Sequence, residues 1–154
     1  MRIGNSQVKQ WGFGVNPGQG KVLAVGHDST NGNGAYLSSG GAWSNSSSFI
    51  KKDRIQLLDG NDILKKVMQL HIDGWYYKGT NEYHIGPYAE EFYNTFNTGT
   101  DQHYISTVDP AGIALKAIQE LNTQNQNLKA ENELLKQRLD RLEQLMAQEN
   151  TIKK

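Results

Sequence analysis

The chain has 154 residues, with 16 Lys and Arg balancing 16 Asp and Glu, 36% hydrophobic residues, 16 glycines, three prolines and no cysteine. That length allows one modest domain with an appendage, and the charge balance argues against a basic nucleic-acid binder or a polybasic membrane-surface protein. Without cysteine there is no disulfide framework and no thiolate zinc site. No metal and no cofactor is expected.

Met1–Ser6 has no apolar run behind its charge and does not read as a signal peptide. No stretch is apolar enough for a membrane helix, so a soluble intracellular chain is expected. The average conceals three unlike segments. Residues 1–48 hold ten of the glycines and a net charge of +2, residues 49–110 are acidic at −3, and residues 111–154 are charge-dense at +1.

The first segment alternates short apolar runs with turn residues. Lys21–Val25 reads as a strand, and Asn31-Gly32 and Asn33-Gly34 read as tight turns that need positive φ. So few large apolar residues cannot bury a core alone, so the strands are expected to pair with other copies or lean on a neighbouring domain. Ser38–Ser48, rich in Gly, Ser and Asn, reads as an exposed connector.

The middle segment reads as α+β. Asn61 or Asp59 caps a predicted helix whose Ile63, Leu64, Val67, Met68 and His71 share one face. Trp75–Tyr77 and Tyr83–Ile85 flank the turn residues Lys78–Asn81, which predicts a hairpin. Gly86-Pro87 predicts a second helix with proline at its first position and Tyr88, Phe92 and Phe96 inside. Tyr104–Val108 reads as a last strand before Asp109-Pro110, a cap followed by proline.

From Pro110 onward the pattern is one long helix. With Ile118 at heptad position a, later a sites are Asn125, Asn132, Leu139 and Met146, and the d sites include Leu121, Leu128, Leu135 and Leu142. This is a coiled-coil seam over four heptads with two polar breaks. Glu131 at g faces Lys136 at e of a partner, and Arg138 faces Glu143. Only Lys116 precedes the seam, without a basic region, which excludes a zipper transcription factor.

The order of parts carries a resemblance. Ser38-Ser39-Gly40-Gly41-Ala42-Trp43 through Ser48, then Lys52 and Ile55, then His84–Phe92, then Val108–Leu121 together resemble the endosialidase-type intramolecular chaperone, the auto-processing domain at the C-terminus of phage tail fibres and tailspikes. The likeness covers roughly residues 38–145. It implies a mixed α+β domain preceded by a Gly-rich β segment and followed by a trimeric coiled coil, with boundaries at 1–46, 47–109 and 110–154. It also implies a homotrimer that folds an upstream fibre segment of the same chain. A 46-residue stem is too short for a fibre, so Met1 is read as the start of an excerpt or of a truncated gene. The resemblance further implies synthesis in a bacterial cytoplasm and a virion or cell-surface destination for the fibre.

The activity implied is self-cleavage on the N-terminal side of a serine by a serine–lysine pair. Registered on Lys52 and Ile55, the nucleophile is Ser47, the base is Lys52 and the bond cut is Ser46–Ser47. Ser48 stands where the family usually has Asp, Ile50 where it has Arg, and Glu90 where it often has Gln. A lysine removes the serine proton only as a neutral amine, a form that burial favours. The bland alternative is that Lys51, Lys52 and Arg54 form a solvated basic face. His84 either orients a group near the cut or is a core histidine.

Two functions follow, a self-cleaving trimerising chaperone and a permanent trimerisation and capping module of a fibre or adhesin. A third places Trp11, Phe13, Trp43 and Trp75 on a glycan-binding surface. They are dispersed along the sequence, and aromatics are more often buried.

Overall fold

A computed structural model describes residues 2–3, 11–16, 21–26 and 35–152, with side chains from 35 to 150. The chain divides into two compact units, Met1–Leu57 and Leu58–Lys154. Small antiparallel sheets and one long C-terminal helix make the fold mixed α+β.

The first unit is a five-stranded meander in sequence order, β1 (Arg2–Ile3), β2 (Trp11–Asn16), β3 (Lys21–Gly26), β4 (Ala35–Ser38) and β5 (Trp43–Ser44). Each strand pairs antiparallel with its chain neighbour, for example Phe13 with Val25 and Leu37 with Trp43. The expected strand at Lys21–Val25 is present as β3. Within the chain it pairs with β2 on one side and β4 on the other. The turns expected at Asn31-Gly32 and Asn33-Gly34 lie outside the described residues.

Ser38–Ser48 is not a plain connector. Ser38 donates its amide to the Ala42 carbonyl at 2.8 Å, its hydroxyl accepts from the Ala42 amide at 3.0 Å, and Gly41 takes φ +82°. A residue with Cβ is strained there, so glycine makes the reversal that returns Trp43-Ser44 to the sheet. Composition cannot distinguish such a tight hairpin from a linker, because both use Gly and Ser.

The second unit begins with α1 (Gly60–Val67), capped by Asp59, whose Oδ1 accepts from the amides of Asn61 at 2.9 Å and Asp62 at 3.4 Å. Asp59, not Asn61, is therefore the cap. The helix stops at Val67, leaving Met68 exposed and His71 outside the apolar face proposed for it. The hairpin β6 (Asp73–Tyr76) with β7 (Tyr83–Gly86) follows as expected.

Helix α2 (Ala89–Phe96) starts two residues after Pro87, with Tyr88 as its cap residue and Asn97 closing it in the left-handed region at φ 52°. Proline therefore precedes the helix instead of opening it. Phe92 is buried and Phe96 packs beside it, but Tyr88 is half exposed.

The strand expected at Tyr104–Val108 is not formed. Sheet propensity needs a ladder, and the second sheet has only two strands. Instead α3 (Val108–Ile152) begins earlier than Asp109-Pro110 suggested. Both residues sit in its first turn, where a carboxylate meets the helix dipole and the missing proline N–H is not needed. The core joins the three helices through Ile63, Phe92, Ile113 and Ala117, bordered by Leu64, Val67, Leu70, Phe96 and Ile105.

Candidate functional site

The segment after β5 holds the serines and lysines singled out above. Ser48 is extended, and the chain then turns through a short 3-10 helix at Phe49–Lys51. Its bonds run from the Lys51 amide to the Ser48 carbonyl at 3.1 Å and from the Lys52 amide to the Phe49 carbonyl at 3.0 Å. This turn carries the Lys51 side chain back along the chain, where Nζ donates to Ser46 Oγ at 3.1 Å.

Among the described residues, the side-chain hydrogen bond between a serine and a lysine is this one. Ser47 and Lys52 are both exposed, and Lys52 continues in extended backbone at φ −100° and ψ 143°. Arg54 lies in the left-handed region at φ 49°, with its amide on Asp53 Oδ1 at 2.7 Å and its guanidinium 3.7 Å from the same carboxylate. That ion pair is fully solvated and adds little to stability.

His84 and Glu90 belong to the second unit. His84 stacks on its cross-strand partner Trp75 with ring centroids 4.7 Å apart and meets Tyr77 edge-on at 5.4 Å. Its Nε2 is buried without a hydrogen-bond partner, as is Thr98 Oγ1. Glu90 lies in the first turn of α2, and its Oε1 accepts from His103 Nδ1 at 3.1 Å. Its own backbone N–H, and secondly His103, hold the Glu90 carboxyl below the usual range.

The adjacent Glu91 makes a second clamp, accepting from His71 Nδ1 at 2.9 Å and from the His71 amide at 3.2 Å. The hydrogen bond raises the His71 pKa and lowers that of Glu91. Sequence reading missed His71, His103 and Glu91 as interacting residues. Separations of 20 and 13 positions leave no periodic signal.

Along α3 two faces divide the work. Ile113 and Ala117 are buried against α1 and α2, while Lys116, Glu120 and Gln124 are partly covered on the same side. At 100° per residue the seam starts about 90° around the helix from Ile113 and Ala117, at Ile118 and Leu121, and drifts toward their azimuth by Leu142, beyond the part that the domain covers. There Ile118, Leu121, Leu128, Leu135, Leu139, Leu142 and Met146 are each about half exposed or more, at 49–65%. Asn125 and Asn132 are exposed between them. Lys136 of the e position is held by Glu133 at 2.9 Å within its own helix.

Of the four aromatics weighed for glycan binding, Trp75 is committed to the stack with His84 and Trp43 to the β5 edge, while the side chains of Trp11 and Phe13 lie outside those described. Among the described residues no group of three His, Asp or Glu is placed to hold a metal ion, and no helix is long and apolar enough to cross a membrane. No protein-family model, curated protein or solved structure matches the chain.

Proposed function

We propose that this chain is a trimerising intramolecular chaperone for a fibre or tailspike, with self-cleavage in the segment that follows β5. The observation that carries the reading is the uncovered seam of α3. A helix packed only on its own domain needs one apolar face, and α3 already uses Ile113 and Ala117 for that purpose. An apolar a/d stripe that continues through Met146, past the residues that the domain covers, has no use in one chain and suits a bundle of like helices.

Burying a leucine fully is worth about 1.5–3 kcal/mol relative to exposure, so the seam leucines of associated chains supply a large driving force. The polar Asn125 and Asn132 reduce it and fix the register. Glu131 with Lys136 and Arg138 with Glu143 provide the flanking charges between copies. Three strands are chosen because the resemblance places a threefold fibre upstream. Phe49, Ile50, Ile55 and Leu57, all strongly exposed, are further apolar surface for an assembly to cover.

The resemblance registers the cleaving pair as Ser47 and Lys52, with the Ser46–Ser47 bond cut. Assembly precedes cleavage, because a lysine base needs desolvation that this exposed segment acquires only by packing. A second reading, a non-cleaving trimerisation and capping module, is favoured by Ser48 and Ile50 at the positions of the family's Asp and Arg.

Light scattering on the purified whole chain tests the assembly. A trimer is expected, and a stable dimer or a monomer overturns the reading. A denaturing gel separates the two functions: the chaperone yields a fragment of about two-thirds of the chain, by proportion from a cut near position 46, and the capping module stays whole.

A further inference from the structure

We infer that the acting pair is Ser46 and Lys51, with the Asn45–Ser46 bond cut, an assignment that rests on the self-cleavage reading above and moves its chemistry by one residue. Two serine–lysine pairs share the spacing of five, Ser46 with Lys51 and Ser47 with Lys52. Spacing alone is blind to the difference. The 3-10 turn at Phe49–Lys51 folds the chain so that Lys51 Nζ reaches Ser46 Oγ at 3.1 Å, while Lys52 leaves the turn in extended backbone.

Registering on Ile55 assumes that nothing is added between the lysine and that isoleucine. Arg54 stands there in the left-handed region, φ 49°, a conformation arginine seldom adopts. Removing Arg54 from the count brings Lys51 into the place that Lys52 otherwise takes.

The chemistry closes without a further group. Neutral Lys51 Nζ takes the proton of Ser46 Oγ, and the oxygen attacks the Asn45 carbonyl carbon. The C–N bond to Ser46 breaks, the lysine returns the proton to the departing Ser46 amine, and an ester joins Asn45 to Ser46 Oγ. Water then hydrolyses that ester, leaving an Asn45 carboxylate and a free Ser46 amino terminus. Phe49 and Ile50, exposed at 74% and 88%, lie between the two residues in sequence. Covering them in an assembly also dehydrates Lys51, which couples the base to oligomerisation.

The test is the intact mass and amino-terminal sequence of fragments from the whole chain, for wild type and for Ser46→Ala, Ser47→Ala, Lys51→Met and Lys52→Met. A new terminus at Ser46 is expected, with cleavage lost in Ser46→Ala and Lys51→Met and kept in the other two. Light scattering on each variant reports that assembly is retained, and Ser46→Cys, which keeps a nucleophile at the same atom, is expected to restore cutting. A terminus at Ser47, or cleavage that survives Ser46→Ala, overturns the Ser46 assignment while self-cleavage stands. A wild-type trimer that stays whole overturns the pair and leaves the trimeric reading; a whole monomer overturns both.

Discussion

Gly60, the first residue of α1, lies directly against Glu120 of α3. A methyl group in place of its hydrogen would stand 2.7 Å from Glu120 Oε2 and 3.0 Å from Glu120 Cβ. The carboxylate tip could swing away, but the Cβ is fixed to the helix backbone. The small residue at this position therefore sets how closely the capped end of α1 approaches the long helix.

Gly60→Ala is expected to lower stability by about 1–3 kcal/mol through overpacking. The helix-propensity gain of alanine, at most about 1 kcal/mol, does not offset it at the first turn. Urea unfolding measures the difference. An unchanged or raised midpoint would mean that α1 and α3 separate readily.

Phe92 is the most buried side chain of the three-helix core, at 3% exposure, and its ring meets Phe96 with centroids 5.0 Å apart. Phe92→Ala removes the contact common to the core and leaves a cavity, at a cost of about 3–5 kcal/mol. The expected outcome is loss of the cooperative thermal transition of the second unit, followed by circular dichroism.

Leu135→Lys places a charge in the middle of the seam on a face that the single chain leaves open. The domain core does not include Leu135, so folding of the small domain is expected to persist while the assembly dissociates. Light scattering and thermal melting distinguish the two effects. An unchanged oligomer mass after this substitution removes the seam from the interface.

The clamp between His71 and Glu91 gives stability a pH dependence whose sign is fixed by the two shifts. The hydrogen bond to Glu91 raises the His71 pKa above 6.5, so that contribution is complete below pH 6.5 and is lost as pH rises through the raised value. The same bond lowers Glu91 below 4.5, so that contribution is present above 4.5 and is lost as pH falls through the lowered value. Between those limits the pair is fully formed. The gap in urea midpoint between wild type and His71→Gln is expected to be larger near about pH 5.5 than near about pH 8.5. Equal gaps at both would show that the imidazolium charge plays no part.

Elements whose signals are local were legible in the sequence. The β6–β7 hairpin follows from aromatic runs around Lys78–Asn81, the start of α1 from a cap at Asp59 or Asn61 before an apolar face, and the α3 stripe from a repeat that every turn restates. Where a residue's role depends on a partner elsewhere, the same reading erred. Tyr104–Val108 has strand composition but no ladder to join, and Trp43-Ser44 has linker surroundings yet pairs with Tyr36 and Leu37.

The neutral total charge divides into parts that the sequence alone identifies: a glycine-rich stem, an acidic body and a charge-dense helix with an apolar seam. Periodicity determined these because it is a property of neighbouring residues. Tertiary structure alone decided which face of α3 the domain uses, that two histidines close on adjacent glutamates, and that Lys51 meets Ser46. Each is a contact made by a turn or by a second element, and residue spacing carries no information about where a turn sends a side chain.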